Sequence, residues 1–377
     1  MTFTKTILAA LALAAAASAQ ADITIGVVQP LTGAASGVGI PLRNAVKLWP
    51  DSIAGERLKV VMFDDATDPT TGVRVTQRLA TEEKADVIVG STATPIAIAM
   101  AEVTASTGTP QLATSPAMLP PGKDKWMFRL TQSNGVMAYA IVGHMKKQGI
   151  KTIGFLGFTD AYGELWLKDI TAEAEKNGIK MIAAERFART DTSATAQALK
   201  LVAANPDAIL IVASGSGVGM PQKAIMERGY KGKVYQTHAA ATRDLMRTAG
   251  RDAEGTFVVS GPAVVAEQLP DNHPSKQAAI EFVQAYEKAN GPASRNQFAA
   301  HGWDALTVLQ KAVPVALQKA KPGTPEFRAA LRDALENMSR TVLAQGVLNW
   351  TTDDHWGYTN ETGVMLKVVD GEFKVEP

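Results

Sequence analysis

The chain has 377 residues, which at about 150 residues per domain points to two domains and a sizeable buried core. Lys+Arg 38 against Asp+Glu 37 leaves a net charge of +1, so there is no electrostatic footprint for nucleic acid or an anionic membrane. With Cys 0, disulfides, thiol nucleophiles, zinc ribbons and cysteine-ligated iron–sulfur clusters are all excluded.

Residues 1–21 read as an address rather than as structure. Lys5 gives a positive start, Ile7 to Ala17 form a short apolar stretch, and Ala17-Ser18-Ala19 and Ala19-Gln20-Ala21 are small-residue cleavage patterns. A cut after Ala21 is expected, because a strand-like run starts at Asp22. The stretch is shorter than the roughly 20 apolar residues a bilayer span needs. Ala208 to Met220, the next most apolar segment, is interrupted by Gly215, Gly217 and Gly219. The mature protein is therefore expected to be exported and soluble, with a core that suffices without disulfides.

From Asp22 onward, β-rich runs alternate with amphipathic segments. Ile23–Gln29 reads as a strand and Gly39–Trp49 as a helix; Leu58–Asp64 is a strand and Thr71–Lys84 a helix. Val87–Gly90 precedes a helix from Pro95 to about Thr107, with proline at its first position. Gln111–Ala113 and Met127–Leu130 are shorter strands. After Ser133-Asn134-Gly135 the rhythm restarts with a helix to Gln148, stopped by Gly149. Strands at Ile153–Phe158, Met181–Arg186, Ala208–Val212, Val234–Gln236 and Thr256–Val259 follow, with helices at Tyr162–Asn177, Thr195–Ala204 and Pro221–Arg228. Three longer helices are expected at Lys276–Ala289, Gln297 to Ala320 and Pro325–Asn337, then a tail of short strands. Near-continuous apolar strands alternating with helices define an α/β protein with parallel sheets covered on both faces. No Pro/Gly/Ser-rich linker separates the two runs, so several chain crossings between two lobes are expected.

Catalytic signatures are missing. The five histidines, His144, His238, His273, His301 and His355, are never three to five residues apart, so no metal-ligand pair of the H-E-x-x-H kind exists. Ser214-Gly215-Ser216-Gly217 is not G-x-S-x-G, and Gly215 to Met220 fails G-x-G-x-x-G at its last position. There is no phosphate-binding G-x-x-x-x-G-K-[ST]. Asp64-Asp65-Ala66-Thr67-Asp68 is acidic but lacks the spacing of a calcium loop. No enzyme, cofactor or metal is expected. Binding remains, and in open α/β sheets it occurs beyond the carboxyl ends of strands, where helix N-termini present free N–H groups. Pro30–Gly39, Gly90–Pro95, Thr114–Pro120 and Thr159–Gly163 are the loops with suitable composition.

Several motifs stand in one collinear order: Ile25-Gly26-Val27-Val28-Gln29-Pro30-Leu31-Thr32-Gly33, Phe63-Asp64-Asp65-Ala66-Thr67-Asp68-Pro69, Val89-Gly90 before Ser/Thr residues, Thr114-Ser115-Pro116-Ala117, Phe128-Arg129, Asp160-Ala161-Tyr162-Gly163 and Asp252-Ala253-Glu254-Gly255. On these the chain resembles the periplasmic solute-binding proteins of branched-chain amino-acid (Leu/Ile/Val) type ABC importers, from Asp22 to the C-terminus. The resemblance implies two Rossmann-like lobes joined by three crossings and closing like a flytrap: residues 22–139 plus 258–345 as lobe 1, 140–257 plus 346–377 as lobe 2. It also implies a small-molecule ligand, permease subunits as partners, a periplasmic location and a monomer.

Carried over residue by residue, the resemblance puts the carboxylate-binding hydroxyl on Thr94 beside Ala93, with backbone donors at Ala117 and Met118. In the second lobe it puts Tyr162 and Asp160 at the ligand, leaves a small side chain near Ser216, and places His238 where amino-acid binders carry the acidic partner of the ligand's ammonium. An ammonium buried without an acid costs several kcal/mol, whereas histidine can donate to a carboxylate, phenol or carbonyl. A carboxylate without the amine, an aromatic acid foremost, is therefore the expected ligand, held by uncharged donors. Asp160 keeps open the alternative of a branched-chain or other aliphatic amino acid, and an exported enzyme is the remaining rival.

Overall fold

The structure, a computed structural model, describes residues 22–376; the expected signal peptide at 1–21 lies outside the described residues. In the first lobe β1 (Ile23–Gln29), α1 (Ser36–Val46), β2 (Ser52–Ile53), β3 (Glu56–Asp64), α2 (Pro69–Thr81), β4 (Val87–Gly90), α3 (Thr94–Thr107), β5 (Gln111–Ala113) and β6 (Met127–Arg129) follow in turn. Their sheet has the order β2-β3-β1-β4-β5-β6, parallel except for the β2–β3 pair. The second lobe holds α4 (Asn134–Lys147), β7 (Thr152–Phe158), α5 (Ala161–Lys176), β8 (Lys180–Phe187), α6 (Thr195–Ala204), β9 (Ala208–Val212), α7 (Gly219–Met226), β10 (Lys233–Gln236), α8 (Arg243–Ala249) and β11 (Phe257–Ser260). The chain then returns to the first lobe with α9 (Lys276–Asn290), α10 (Gln297–Leu317), α11 (Pro325–Glu336) and a hairpin of β12 (Thr341–Leu343) and β13 (Gly346–Leu348). It ends in the second lobe with β14 (Val364–Val369) and β15 (Glu372–Val375), giving that sheet the order β15-β14-β11-β10-β9-β7-β8.

The lobes exchange chain three times, near Leu130–Ser133, at Gly261 and near Thr359–Gly363. Three expected boundaries move. Residues 258–260 stay in the second lobe, because β11 pairs with β10 and β14. Residues 346–358 stay in the first, because Leu348, Trp350 and Tyr358 are buried with Phe128, Leu309 and Leu331. α4 likewise belongs wholly to the second lobe, since Ile141, Val142 and Met145 pack with Ile153 and Leu156.

The acidic segment after β3 proves to be a knot rather than an ion site. Asp64 accepts from the Leu31 and Ala66 amides and from the Thr32 hydroxyl, tying the first loop to β3. Asp65 is fully buried, accepts from Ser91 Oγ at 2.7 Å, and burial pushes its carboxyl up to about 6. Asp68 caps α2 through the Thr71 amide. Among the described residues no group of three or more His, Cys, Asp or Glu side chains could hold a metal ion.

The polar crossings meet on α10. Gln132 Nε2 of the first crossing donates to the Gln345 carbonyl at 2.7 Å. The Gly261 amide of the second donates to Gln297 Oε1 at 3.2 Å. Gln345, ahead of the third, donates through Nε2 to the Gln297 carbonyl at 3.1 Å. Beneath them Asp304 accepts from the Ala344 and Gln345 amides. Gln297, His301 and Asp304 recur every three or four residues, so they share one face of the helix.

Candidate functional site

The lobes are closed on each other. Ser216 Oγ donates to the Ala34 carbonyl at 3.4 Å. The turn holding Gly215 packs so tightly on α1 that a Cβ at Gly37 would lie 3.3 Å from Gly215 Cα. Between them, at the carboxyl ends of both sheets, lies a narrow cavity of about 20 Å³. Its first-lobe wall is Thr92, Thr94, Thr114, Ser115, Pro116 and Thr131; its second-lobe wall is Tyr162, Arg189, Ser214, His238 and Ala239, with Phe298 of α10 below. A roomier open groove of about 360 Å³ runs past His273, Arg340 and Glu361. The interlobe cavity is the better candidate because both lobes build it. In addition, Thr92 Oγ1, Ser115 Oγ, Thr131 Oγ1 and His238 Nδ1 are buried there without hydrogen-bond partners. Buried polar groups left unmatched by protein are matched by a ligand or water.

The first-lobe wall follows from how α3 begins. Ala93 precedes the helix in extended conformation and its side chain caps nothing. Its amide is spent on Ser91 Oγ at 3.1 Å, and the Ile96 amide on the Ala93 carbonyl. Pro95 has no amide to offer, which leaves the Thr94 amide and hydroxyl as the free donors of the first turn among the described residues. A carboxylate at this position meets a helix N-terminus and a hydroxyl together.

The second-lobe wall depends on the turn into α5. Asp160 caps that helix, accepting from the Tyr162 and Gly163 amides at 3.0 and 3.3 Å. Gly163 is obligatory: a Cβ there would fall 1.8 Å from the Phe158 carbonyl oxygen. Tyr162, buried, shares a hydrogen bond of 2.8 Å with Thr237 Oγ1, and burial drives its phenol well above the ordinary tyrosine range. Arg189, on the loop after β8, donates to Asp160 through Nε and to Ser214 Oγ at 2.7 Å through Nη1. Its guanidinium lies 4.1 Å from the centre of the Phe158 ring.

His238 is 2% exposed and sits between the Tyr162 and Trp166 rings, at 6.4 and 5.7 Å centre to centre. Burial pushes its imidazole down to about 3, so it is neutral across the physiological range. The folded value lies below the unfolded one of about 6.5. The unfolded chain therefore binds a proton that the folded chain refuses, and stability falls as pH drops from 6.5 toward 3. Gln at this position carries no such cost. The stability of His238→Gln relative to the parent is expected to rise by about 2 kcal/mol between pH 7 and pH 5. Urea unfolding at both pH values measures this, and parallel profiles would show that His238 takes up its proton in the folded state.

Of the residues expected from sequence, Thr94, Tyr162 and His238 line the cavity. The others do not. Ala117 is buried in a small apolar cluster with Ala97 and Met127, and Ala93 in the larger one that holds Ile96 and Met100. The Ala117 amide is taken by the Ser115 carbonyl at 2.7 Å and its carbonyl by Arg129. Met118 is 38% exposed on the outside. Asp160 is not among the lining residues; it caps its helix and pairs with Arg189. Ser216 is a rim contact between lobes. A charged donor that the sequence reading did not include, Arg189, also faces the cavity. Sequence reasoning missed Arg189, Thr131 and Phe298. Arg189 carries no local motif, and the other two reach the site only through a crossing and the returning helix.

Two parallel α/β lobes, three crossings and a closed interlobe cavity lined by orphaned hydroxyls define a ligand-enclosing receptor. The profile of the family described as periplasmic binding protein matches residues 22–371, and the chain belongs to that family. It is of the branched-chain amino-acid type: a Leu/Ile/Val-binding protein homolog of Brucella melitensis is 24% identical over 350 residues, covering 89% of each chain. An extracellular ligand-binding receptor from Rhodopseudomonas palustris, solved as a crystal structure, is 43% identical, with 95% of this chain and 100% of that one covered and a TM-score of 0.93. A solute-binding protein of an R. palustris ABC transporter, solved in complex with benzoate, shares the fold at 18% identity and TM-score 0.77, over 94% of this chain and 95% of that one.

Proposed function

We propose that this protein is the periplasmic substrate-binding component of an ABC importer, and that it encloses a small organic carboxylate lacking an α-amine, with aromatic acids favoured. The observation that carries the ligand class is that no aspartate or glutamate among the described residues lines the cavity, while Asp160, which adjoins its wall through Arg189, is paired with that arginine. An ammonium enclosed there would lack a counter-charge, at a cost of several kcal/mol. A carboxylate is served by the Thr94 amide and hydroxyl and by the unpartnered Ser115 hydroxyl. Phe298, Tyr162 and the neutral His238 give the remainder of the wall an aromatic character suited to a ring. The benzoate held by the R. palustris neighbour is a ligand of this class. Closure lets both lobes present one surface to a permease only when ligand is inside. Secretion of the mature chain to the periplasm goes with this role.

The second reading is a branched-chain amino acid, the ligand named for the Brucella relative. Differential scanning fluorimetry on protein freed of carried-over ligand separates the two. Benzoate is expected to raise the melting temperature while leucine and isoleucine leave it unchanged. The reverse pattern replaces the aromatic-acid reading with the amino-acid one. Thr94→Val is expected to weaken benzoate binding by about 1–3 kcal/mol, through loss of one hydrogen bond to a charged group. An unaltered calorimetric Kd would take Thr94 out of the carboxylate site.

A further inference from the structure

We propose that Arg189 decides which ligands the cleft accepts: it admits monocarboxylates bearing a neutral hydrogen-bond acceptor at the end opposite the carboxylate, and refuses those bearing an ammonium there. This rests on the aromatic-carboxylate reading above and names the ligand more closely.

A guanidinium carries five N–H donors and is never deprotonated in a protein. Arg189 uses Nε on Asp160 and Nη1 on Ser214, and Nη2 has no partner among the described residues. The side chain is 14% exposed and lines the interlobe cavity, so a ligand placed there meets N–H groups that no protein atom holds. Its direction is fixed on three sides, by Asp160, by Ser214 and by the Phe158 ring beneath it. A fixed, permanently charged donor with an N–H group unpaired by protein favours a ligand that brings an acceptor to it.

The position of that acceptor follows from the two walls. The carboxylate donors, Thr94 and Ser115, belong to the first lobe, and Arg189 belongs to the second. A ligand that bridges the closed cleft therefore carries its carboxylate at one end and its acceptor at the other. Charge then narrows the chemistry. Arg189 and Asp160 neutralise each other, His238 is neutral, and no further acid or base lines the cavity. One ligand carboxylate is balanced by the start of α3. A second carboxylate would bring an uncompensated charge into the closed site, and an ammonium would face the guanidinium directly. A hydroxyl, ether or carbonyl meets Nη2 without either conflict. Arg189 also shields Asp160, the residue that would otherwise make this cavity an amine site.

Calorimetric titration of the ligand-free mature protein with benzoate, 4-hydroxybenzoate and 4-(aminomethyl)benzoate tests this, since the three differ only at the far end of the ring. The parent protein is expected to bind 4-hydroxybenzoate about tenfold or more tighter than benzoate, and 4-(aminomethyl)benzoate more weakly than either. In Arg189→Met the hydroxyl preference is expected to fall to within about twofold, and the uncovered Asp160 to improve binding of the ammonium-bearing acid. Adding Asp160→Asn, which still caps α5, should cancel that improvement. Arg189→Lys keeps the charge without the fork. It is expected to go on refusing the ammonium while losing most of the hydroxyl preference, and it carries the test if the methionine variant does not fold. Equal binding of benzoate and 4-hydroxybenzoate by the parent, or a hydroxyl preference that survives in both Arg189 variants, overturns the role of Arg189 and leaves the aromatic-acid reading standing. Binding of none of the three overturns both.

Discussion

Trp166→Ala is expected to lower the free energy of unfolding by about 3–5 kcal/mol and to abolish ligand binding at accessible concentrations. Trp166 is fully buried on α5 and packs in the same apolar cluster as Phe155, Ile170 and Leu210. Removing the indole deletes a large contact area in an interior that cannot collapse around the gap, because parallel strands on one side and a helix on the other are held at fixed spacing. The same ring lies 5.7 Å from His238. Its loss therefore leaves the imidazole without one of its two aromatic supports and opens the second-lobe wall to water. Urea unfolding followed by circular dichroism measures the first effect, and calorimetric titration with benzoate at a temperature where the variant is folded measures the second. A loss below about 1 kcal/mol would mean that the site repacks freely, contrary to the close packing described here.

Asp304→Ala is expected to cost about 2–5 kcal/mol and to loosen the closed form. The Asp304 carboxylate is fully buried, and its two oxygens accept from the Ala344 and Gln345 amides at 2.9 and 3.0 Å. Alanine leaves both amides buried without acceptors. Those amides set the position of Gln345, the side chain that joins α10 to the crossings, so the effect is not confined to one hairpin. Small-angle scattering is expected to show a larger radius of gyration for the variant at saturating benzoate than for the parent. Asp304→Asn retains one acceptor oxygen and should recover part of the stability. Burial pushes the Asp304 carboxyl up to about 7, above the unfolded value of about 3.9. Its contribution is accordingly full at low pH and is lost as pH rises through 7. The deficit of the asparagine variant is therefore expected to shrink between pH 5 and pH 7. A deficit that stays constant over that interval would mean the buried carboxyl is ionised throughout.

Much of the scaffold could be read before any coordinates. Ile23–Gln29, Val87–Gly90, Gln111–Ala113, Thr195–Ala204 and Ala208–Val212 fall where the sequence places them, because near-continuous apolar strands and amphipathic helices carry strong periodic signals. α8 escaped notice, since Arg243–Ala249 spans only seven residues and too few turns to show a period. Asp160-Ala161-Tyr162-Gly163 pointed correctly to the second-lobe wall at Tyr162. Its aspartate and glycine, however, are there to build the turn: one caps the helix and the other makes room for the Phe158 carbonyl. The acidic run after β3 is similar, being conspicuous in sequence and structural in role.

The ligand-facing chemistry was harder to read. Thr94 and His238 were named from the resemblance to the binding-protein family, and both line the interlobe cavity. Arg189 lies in Phe187-Ala188-Arg189-Thr190-Asp191, a stretch with no signal of its own. Its partners Asp160 and Ser214 are 29 and 25 residues away. The polar cluster at the crossings left only a faint trace, residues 297, 301 and 304 on one face of α10.

The order of apolar and polar residues was enough by itself to specify two α/β lobes and the loops that face each other, because secondary structure and strand burial depend on near neighbours. Only the tertiary structure decided which charges meet. Whether Asp160 welcomes an ammonium or is already neutralised depends on a guanidinium from another loop. That pairing is governed by distance through space, on which local sequence pattern is silent.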